Sequence, residues 1–378
     1  MSETRILLAS LLKPLNDTRM YEKLGLSLCK LPETQVHLAG FQAPLPEASP
    51  ANLHFHPIFR FSRLSAGRFL AQQKYERLLH TLKPDLVIAC THELLQASLR
   101  YCRQYGAKLV YDVQENYTLN LTSQRHYPPL LRQLLARWVG STEQRASPAV
   151  AHFLLAEESY AQELPFLRPG CFTVIGNKYK PAANYTLPAT PVGLGNAPLR
   201  LLYSGTIAEL YGVFEAVDLA EALHDLAPST TLTIIGYCAH RQTLQKLQQR
   251  LQGKSYITLI GGDRLVPHQQ ILQHIQACNL GLLPYRPNPS TERCMPTKLY
   301  EYMAYALPVL VPENPLWQNV VVAAGAGLAI DFRQVSPLEL LARIQQGLFY
   351  TSGVPQDVYW ETEEKKLLGV ISKIIDSH

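Results

Sequence analysis

The chain has 378 residues, a formal net charge of +5, 47% hydrophobic residues and 17% charged residues. This length suggests two or three domains with sizeable cores, and this composition is that of a globular protein and excludes a largely disordered one. The seven cysteines are scattered without a C-x-x-C pair or a ligand cluster, so we expect reduced thiols and neither a disulfide framework nor a metal site.

In the first half of the chain, short apolar runs alternate with helical patterns, which predicts a parallel sheet built from β-α-β units. The expected strands are residues 5–10, 35–40, 85–90, 108–111, 151–155 and 171–175. The expected helices are residues 18–31, 71–82, 92–105 and 130–147. Together these elements predict a first domain over residues 1–180.

The segment 181–198 is rich in proline, glycine and small residues, which is typical of a linker. The β-α pattern then resumes, with expected strands at 199–203, 231–235, 257–260, 280–283 and 308–311. We therefore expect a second domain over residues 199–357 and a final amphipathic segment over 358–378. The predicted fold class is α/β, with two doubly wound, Rossmann-like domains.

The most informative segment is residues 295–310, MPTKLYEYMAYALPVL. Pro296 and Thr297 predict a helix start, and Lys298 and Glu301 are three residues apart and therefore share a helix face. A cation beside a helix N-terminus suits an anion, and a carboxylate one turn further suits sugar hydroxyls. The alternative is an ordinary pair of charges on a helix surface.

This segment resembles the P-x-K-x-x-E-Y-x-A motif of nucleotide-sugar-dependent glycosyltransferases with the GT-B fold, especially the retaining family 4. The resemblance implies two domains facing a cleft, and a final helix that crosses back to the first domain. It also implies that Glu301 binds the ribose of the donor and Lys298 its diphosphate, together with Pro296 and Thr297. It implies no cofactor besides the donor substrate, a nucleotide diphosphate sugar.

The loop that opens the second domain matches this family in position, but it lacks two expected cations. Gly205 allows a phosphate to approach the backbone, whereas Thr206 and Tyr211 stand where the family has arginine and lysine. We expect Lys298 and Arg293, both in the facing loop, to compensate.

The next two strands of the second domain also end at candidate donor contacts. Gly236 and Tyr237 end one strand, and the loop over residues 260–267 corresponds to the part of the family that holds the nucleobase. The alternative for both is an ordinary turn.

In the first domain, two segments following strands are candidates. Asp17 and Arg19 resemble a D-x-R segment of some family members, which predicts an acceptor-side role; Asp17 is equally suited to cap the next helix. Gln114 and Glu115 lie in a segment close to the motif Y-D-x-H-E-x-Y, where the family has histidine in place of Gln114. They are the predicted catalytic residues, although a glutamine cannot carry a proton as imidazole does.

Basic residues are concentrated in the first half, where 21 Lys+Arg and 14 Asp+Glu give +7, against 14 and 16 in the remainder. In residues 59–77 basic and aromatic side chains alternate. One interpretation is a patch for an anionic membrane surface, and the other is a solvated loop and helix. No signature of a nucleic-acid-binding fold accompanies these charges, so we expect no nucleic-acid partner.

The sequence thus predicts a cytoplasmic glycosyltransferase that is retaining and metal-independent, with a glycan or lipid-linked acceptor. Peripheral association with the inner face of the membrane is one interpretation of its basic segment. The sequence contains no D-x-D motif, so it gives no support to a metal-dependent alternative. Because Gln114, Thr206 and Tyr211 depart from the family pattern, a catalytically impaired binding or scaffold protein with the same fold is the alternative. A sugar epimerase with this fold has no positive support in the sequence.

Overall fold

The computed structural model describes residues 3–61, 67–123, 128–289 and 291–377. The chain divides into two compact units. Unit 1 comprises Met1–Lys180 and Trp360–His378, and unit 2 comprises Pro181–Tyr359.

Unit 1 contains a parallel sheet of seven strands with helices between them. The strands are β1 (Thr4–Pro14), β2 (Thr34–Phe41), β3 (Leu53–Phe59), β4 (Leu86–Ala89), β5 (Lys108–Val113), β6 (His152–Leu155) and β7 (Phe172–Val174). The helices are a π-helix (Thr18–Gly25), α1 (Leu26–Leu28), α2 (Gly67–Leu82), α3 (Leu95–Tyr105), α4 (Tyr117–Ser123), α5 (Pro129–Ala146), α6 (Tyr160–Glu163) and two 3-10 turns (His92–Leu94 and Ser147–Ala149).

The strand order of this sheet is β3-β2-β1-β4-β5-β6-β7. The order reverses between β1 and β4, which is the switch point of a doubly wound sheet. The central strand β1 is buried on both faces, since Ile6, Leu7, Leu8 and Ala9 are all 0% exposed. Such a strand has a continuous apolar sequence, which is why its position was predictable.

Three local features of unit 1 were not predicted. Strand β3 contains Pro57, and proline cannot donate a ladder hydrogen bond, so this strand lies at the sheet edge. Helix α4 was not expected at all. The helix expected over 18–31 begins as a π-helix, whose first turn is capped by the carboxylate of Asp17.

The last helix, α13 (Trp360–Asp376), belongs to unit 1. The indole of Trp360 is 1% exposed and donates a hydrogen bond of 2.9 Å to the hydroxyl of Ser27. One turn on, the buried carboxylate of Glu363 accepts from the backbone N–H of Gly176 at 3.0 Å and pairs with Lys178 at 3.2 Å. The helix is therefore held by apolar packing and by polar contacts of unit 1.

Unit 2 contains a second parallel sheet, with six strands. Its strands are β9 (Arg200–Thr206), β10 (Thr231–Tyr237), β11 (Ile257–Gly262), β12 (Leu280–Leu282), β13 (Val309–Pro312) and β14 (Gly327–Ile330), in the order β11-β10-β9-β12-β13-β14. Its helices are α7 (Val213–Leu226), α8 (Arg241–Leu251), α9 (His268–Ala277), α10 (Thr297–Ala304), α11 (Pro315–Ala323), α12 (Pro337–Gln346) and a 3-10 turn (Gln356–Val358).

The segment predicted as a linker, residues 181–198, lies in unit 2. It contributes a short strand, β8 (Val192–Gly193), that pairs antiparallel with β15 (Leu348–Phe349). The predicted fold class is confirmed, because each unit is a doubly wound parallel sheet. Within the described residues, no helix is long and apolar enough to cross a membrane. The same residues contain no group of three or more side chains suited to hold a metal ion.

Candidate functional site

A row of three glycines lies at the carboxyl ends of β9, β10 and β11. Gly236 is in register with Gly205 on one side and with Gly261 on the other. A Cβ atom at Gly236 would lie 1.6 Å from the carbonyl oxygen of Gly205, and one at Gly261 would lie 2.3 Å from that of Gly236. Only glycine fits this row, so the edge where ligands bind in such sheets has bare backbone.

The side chain of Lys298 lies directly over Gly205. A Cβ atom at Gly205 would lie 2.1 Å from Cε and 2.7 Å from Nζ of Lys298. The ammonium group donates to the hydroxyl of Tyr285 at 3.2 Å, and it lies 5.5 Å from the ring centroids of both Tyr211 and Tyr285. Two aromatic rings thus hold the cation at the glycine row by cation–π attraction.

Tyr211 therefore has a specific place in the structure. It occupies the position where the family resemblance led us to expect a lysine, and its ring supports Lys298 in place of a second cation. Tyr285 was missed from the sequence, because it lies in an irregular loop and its partner Lys298 is 13 positions further along the chain, in α10. The only local signal was a polar aromatic residue shortly after an apolar strand.

Glu301 lies one turn along α10 from Lys298, on the same helix face, as expected. Its carboxylate oxygen Oε1 is 2.8 Å from Nε2 of His268, the first residue of α9. His268 follows the loop that the resemblance assigned to the nucleobase, and sequence reasoning missed it. The contact orients one carboxylate oxygen of Glu301, whose side chain is 20% exposed.

The other predicted donor residues lie in the same unit. Thr206 and Tyr237 are paired in register just beyond the glycine row, and both are exposed. Pro296 is the N-cap residue of α10, and Thr297 is its first helical residue. Arg293 is exposed in the turn before α10. The proposed contacts of these residues with a donor remain predictions.

Tyr285 also lines a cavity of about 340 Å³ in unit 2. Glu215 lines it and receives hydrogen bonds from Arg286 at 2.7 Å and from Arg333 at 3.2 Å. Burial raises the pKa of Glu215, but the bonds from the two arginines outweigh burial, so its pKa is lowered overall. Both arginines are thus engaged with this carboxylate.

In unit 1, the predicted acceptor-side pair is built into a buried network. The side chain of Asp17 accepts from the backbone N–H groups of Arg19 and Met20, so Asp17 is a helix cap. Arg19 is 5% exposed and forms an ion pair of 2.6 Å with the fully buried Asp112. It also donates to the backbone carbonyl of Ile175 at 2.8 Å.

This network bears on the expectation for Arg19. Burial lowers the pKa of its guanidinium, but the charge of Asp112 and its hydrogen bonds outweigh burial and raise the pKa above the ordinary value. The structure thus places the guanidinium inside unit 1, where a direct acceptor contact would require the ion pair to break. The predicted acceptor-side roles of Arg19 and Asp17 stay predictions.

Gln114 and Glu115 follow β5, beside the same buried ion pair. The side-chain amide of Gln114 donates to Asp112 at 2.8 Å, and the carboxylate of Glu115 accepts from the amide of Asn120 at 3.1 Å. Both side chains are partly exposed. Their predicted catalytic role remains a prediction, and the amide of Gln114 is oriented by Asp112.

The predicted basic-aromatic segment lies only partly within the described residues. Residues 62–66 and the side chains of Arg68 and Phe69 are outside them. Phe59 is 0% exposed and belongs to the core, because it ends strand β3 with its ring turned inward. Phe59 therefore cannot contact a membrane surface.

Comparison with known proteins relates part of this chain to a known family. Residues 192–348 match the family model described as Glycosyl transferases group 1. No curated protein matches the sequence. The predicted resemblance to glycosyltransferases is thereby confirmed over residues 192–348, and membership of family 4 in particular stays a prediction.

Several solved structures share the fold. Sucrose-phosphate synthase from Thermosynechococcus elongatus is 14% identical, with a TM-score of 0.70 over 99% of this chain and 100% of that one. Anabaena HepE in complex with UDP-glucose is 14% identical, with a TM-score of 0.61 over 98% and 99%. A putative UDP-N-acetylglucosamine 2-epimerase from Listeria monocytogenes is 12% identical, with a TM-score of 0.62 over 100% and 98%. At such identities these structures show the fold alone.

Proposed function

We propose that this chain, whose residues 192–348 match the group 1 glycosyl transferases, transfers a sugar from a nucleotide diphosphate sugar to an acceptor hydroxyl. The acceptor is a glycan or a lipid-linked sugar, as in polysaccharide biosynthesis, and transfer retains the anomeric configuration without a metal ion. The observation that carries this proposal is the position of Lys298 over the glycine row at the carboxyl end of β9.

The chemistry of this site suits a nucleotide diphosphate. The bare backbone at Gly205 admits a diphosphate close to the sheet edge, and Lys298 brings a positive charge to that point. Glu301, one turn away, offers carboxylate oxygens for the two ribose hydroxyls. These three features lie at the edge where doubly wound sheets bind ligands, and none of them requires a metal ion.

The loop that opens the second domain lacks the two expected cations, but the negative charge of the diphosphate is still compensated. Aromatic rings desolvate Lys298 on one side, and a partly desolvated cation interacts more strongly with an anion than a fully hydrated one does. Tyr211 and Tyr285 therefore increase the effect of the charge on Lys298.

A retaining transfer of this kind does not require a protein side chain to act as the base. The bond between the anomeric carbon and the diphosphate oxygen breaks, the acceptor oxygen bonds to that carbon on the same face, and the acceptor proton passes to the departing diphosphate. Gln114 cannot act as an acid or base, and on this route it needs only to donate or accept hydrogen bonds. Glu115 serves as its polar neighbour.

The test is equilibrium binding of UDP-, GDP- and ADP-sugars by isothermal titration calorimetry. Lys298→Ala should weaken binding of the preferred nucleotide by roughly 1.5–3 kcal/mol, about 10- to 150-fold, since a charge-assisted hydrogen bond is lost. The control is Arg343→Ala, which removes an exposed cation from α12. Equal affinity in both variants, or no binding of any nucleotide sugar by the unaltered protein, refutes the proposal.

The second candidate is a GT-B protein that binds a nucleotide sugar or glycan and does not turn it over. The presence of Gln114 in place of histidine favours it. The discriminating measurement is release of nucleoside diphosphate in the presence of a panel of glycan and lipid-linked acceptors. Tight binding without any release across the panel would favour this second candidate.

We further propose that the protein is cytoplasmic and associates peripherally with an anionic membrane surface. The excess of cations in the first half of the chain supports this, although the segment 59–77 lies partly outside the described residues and Phe59 is buried. Cell fractionation tests it: recovery in the supernatant at low salt and at high salt alike would contradict membrane association.

A further inference from the structure

Helix α5 exposes an unusual amount of apolar surface in unit 1. Leu130 is 77% exposed, Leu131 42%, Leu134 61% and Trp138 56%. The first buried residue of this helix is Ala136, so its first two turns have no buried side chain. A soluble helix of this length ordinarily turns such residues toward the core, so this face requires an explanation.

The four residues form one continuous strip. Leu130, Leu134 and Trp138 follow each other at intervals of four residues, which places them on one side of the helix, with Leu131 beside them. We call Leu130, Leu131, Leu134 and Trp138 the α5 ridge. Neighbouring α4 packs against α5, and the four side chains of the ridge remain exposed beside it.

The exposed charged side chains of α5 are all positive. Arg137 and Arg145 are exposed. The one acidic residue of α5, Glu143, is 3% exposed and accepts a hydrogen bond of 2.8 Å from the hydroxyl of Tyr111. Burial raises the pKa of Glu143 to about 7, although this hydrogen bond acts to lower it. The outer face of α5 thus presents apolar side chains and cations without an exposed carboxylate.

A groove adjoins the ridge between α3 and α5. It has a volume of about 320 Å³, and its lining includes Trp138, Arg103, Arg145, Gln96, His92 and Glu93. Arg103 is also exposed, on α3. Trp138 therefore belongs to both features, and Arg103 and Arg145 line the same groove as this apolar side chain. Because Glu93 also lines the groove, its interior does not suit an anion.

We propose that the α5 ridge docks on the surface of a bilayer that contains anionic phospholipid, with the exposed Arg137 and Arg145 against the lipid headgroups. Leucine and tryptophan side chains penetrate the interface while arginines contact headgroups, which is the usual division in interfacial helices. A protein partner with a complementary face would be expected to meet some carboxylates on this surface, and none is exposed on α5. The proposal uses a surface different from residues 59–77 and does not depend on nucleotide binding.

Tryptophan fluorescence tests this proposal directly. The chain has three tryptophans, and Trp317 and Trp360 are 2% and 1% exposed. Only Trp138 can pass from water into lipid. We expect the emission of the full chain to shift to shorter wavelength with vesicles of phosphatidylcholine and 30% phosphatidylglycerol (a composition chosen at roughly the charge of an anionic leaflet). An unchanged spectrum despite sedimentation with these vesicles would overturn the docking surface.

Paired variants distinguish the contribution of the α5 ridge to vesicle binding from that of other exposed apolar side chains. Leu130→Gln/Leu134→Gln should lower vesicle partitioning by roughly a hundredfold, because two apolar side chains no longer leave water. The matched control is Leu265→Gln/Leu338→Gln, which removes two leucines of unit 2 that are 79% and 67% exposed. All four positions are exposed, so melting temperatures should remain close to that of the unaltered protein. Equal partitioning of the two variants would overturn the proposal.

The cations and a competing occupant are tested separately. Arg137→Gln/Arg145→Gln should weaken binding to anionic vesicles roughly tenfold or more, and less at high salt, because about 1 kcal/mol per cation is lost. Binding that does not depend on lipid charge would overturn the role of these two arginines. If the unaltered protein instead forms a dimer without vesicles, and Leu130→Gln/Leu134→Gln abolishes it, the ridge is an interface between copies of this chain and the lipid proposal fails.

Discussion

Gly205→Ala adds one methyl group at the point where Lys298 crosses the backbone. The new Cβ atom would lie 2.1 Å from Cε and 2.7 Å from Nζ of Lys298, so the lysine side chain must move. The backbone of Gly205 has φ +91°, which costs an L-residue about 1–2 kcal/mol. Displacement also removes two cation–π contacts, worth about 0.5–1 kcal/mol each. We expect unit 2 to lose about 2–4 kcal/mol of stability.

The effect on nucleotide binding follows from the same displacement. If Lys298 no longer lies over the sheet edge, the diphosphate loses a charge-assisted hydrogen bond, so the dissociation constant should rise by roughly tenfold or more. The matched control is Gly253→Ala. Gly253 has φ +77° and nothing within 4 Å of an added Cβ atom, so it has comparable backbone strain without a displaced lysine. Chemical denaturation and calorimetric titration give the two quantities for each variant.

A double-mutant cycle makes this reasoning refutable. Lys298→Ala removes the atoms with which the new methyl group collides, so Gly205→Ala should cost less in that background than in the unaltered protein. We expect a coupling energy of at least about 1 kcal/mol, well above the roughly 0.3–0.5 kcal/mol found for independent sites. Additive effects, or equal nucleotide affinity in the Gly205→Ala and Gly253→Ala variants, would refute the placement of Lys298.

Three further predictions concern other contacts. His268→Ala should weaken nucleotide binding roughly threefold to tenfold in calorimetric titrations, because Glu301 loses an orienting hydrogen bond, whereas His268→Gln should retain most of the affinity. Arg19→Met should destabilise unit 1 by about 3–5 kcal/mol in urea unfolding, because Asp112 becomes an unpaired buried charge; a loss below about 1 kcal/mol would contradict the buried pair. Burial and the charges of the neighbouring His56 and His54 together lower the pKa of His37 from 6.5 to about 4, so the unfolded chain takes up this proton first as the pH falls. Stability should therefore be intact above pH 6.5 and decline by about 1–2 kcal/mol toward pH 4, and His37→Gln should flatten this decline in thermal melts.

The strands and the donor helix could be predicted because their signals are local. Each central strand of a parallel sheet is covered on both faces and therefore has a continuous apolar sequence, as in residues 6–9 of β1. The spacing of Lys298 and Glu301 sets their common helix face without reference to the remainder of the chain. Strand β3 lacked this signal, because it lies at the sheet edge and contains Pro57.

Which distant residues contact one another depends on strand order and register, and local sequence patterns do not encode either. Arg19 and Asp112 are 93 positions apart, and they meet because Arg19 begins the helix after β1 while Asp112 lies in β5. Desolvation of this arginine is tolerable only beside a carboxylate, and the structure supplies the buried Asp112 as that partner.

By itself, the sequence determined the fold class and the place of the donor helix, since apolar periodicity and helical spacing are properties of neighbouring residues. Only the tertiary structure decided what holds Lys298. The cation is supported by Tyr211 and Tyr285, which come from two different loops and meet at the carboxyl edge of one sheet. Long-range contacts of this kind arise when strands pair in a particular order, and the free energy of that pairing is spread over the entire core.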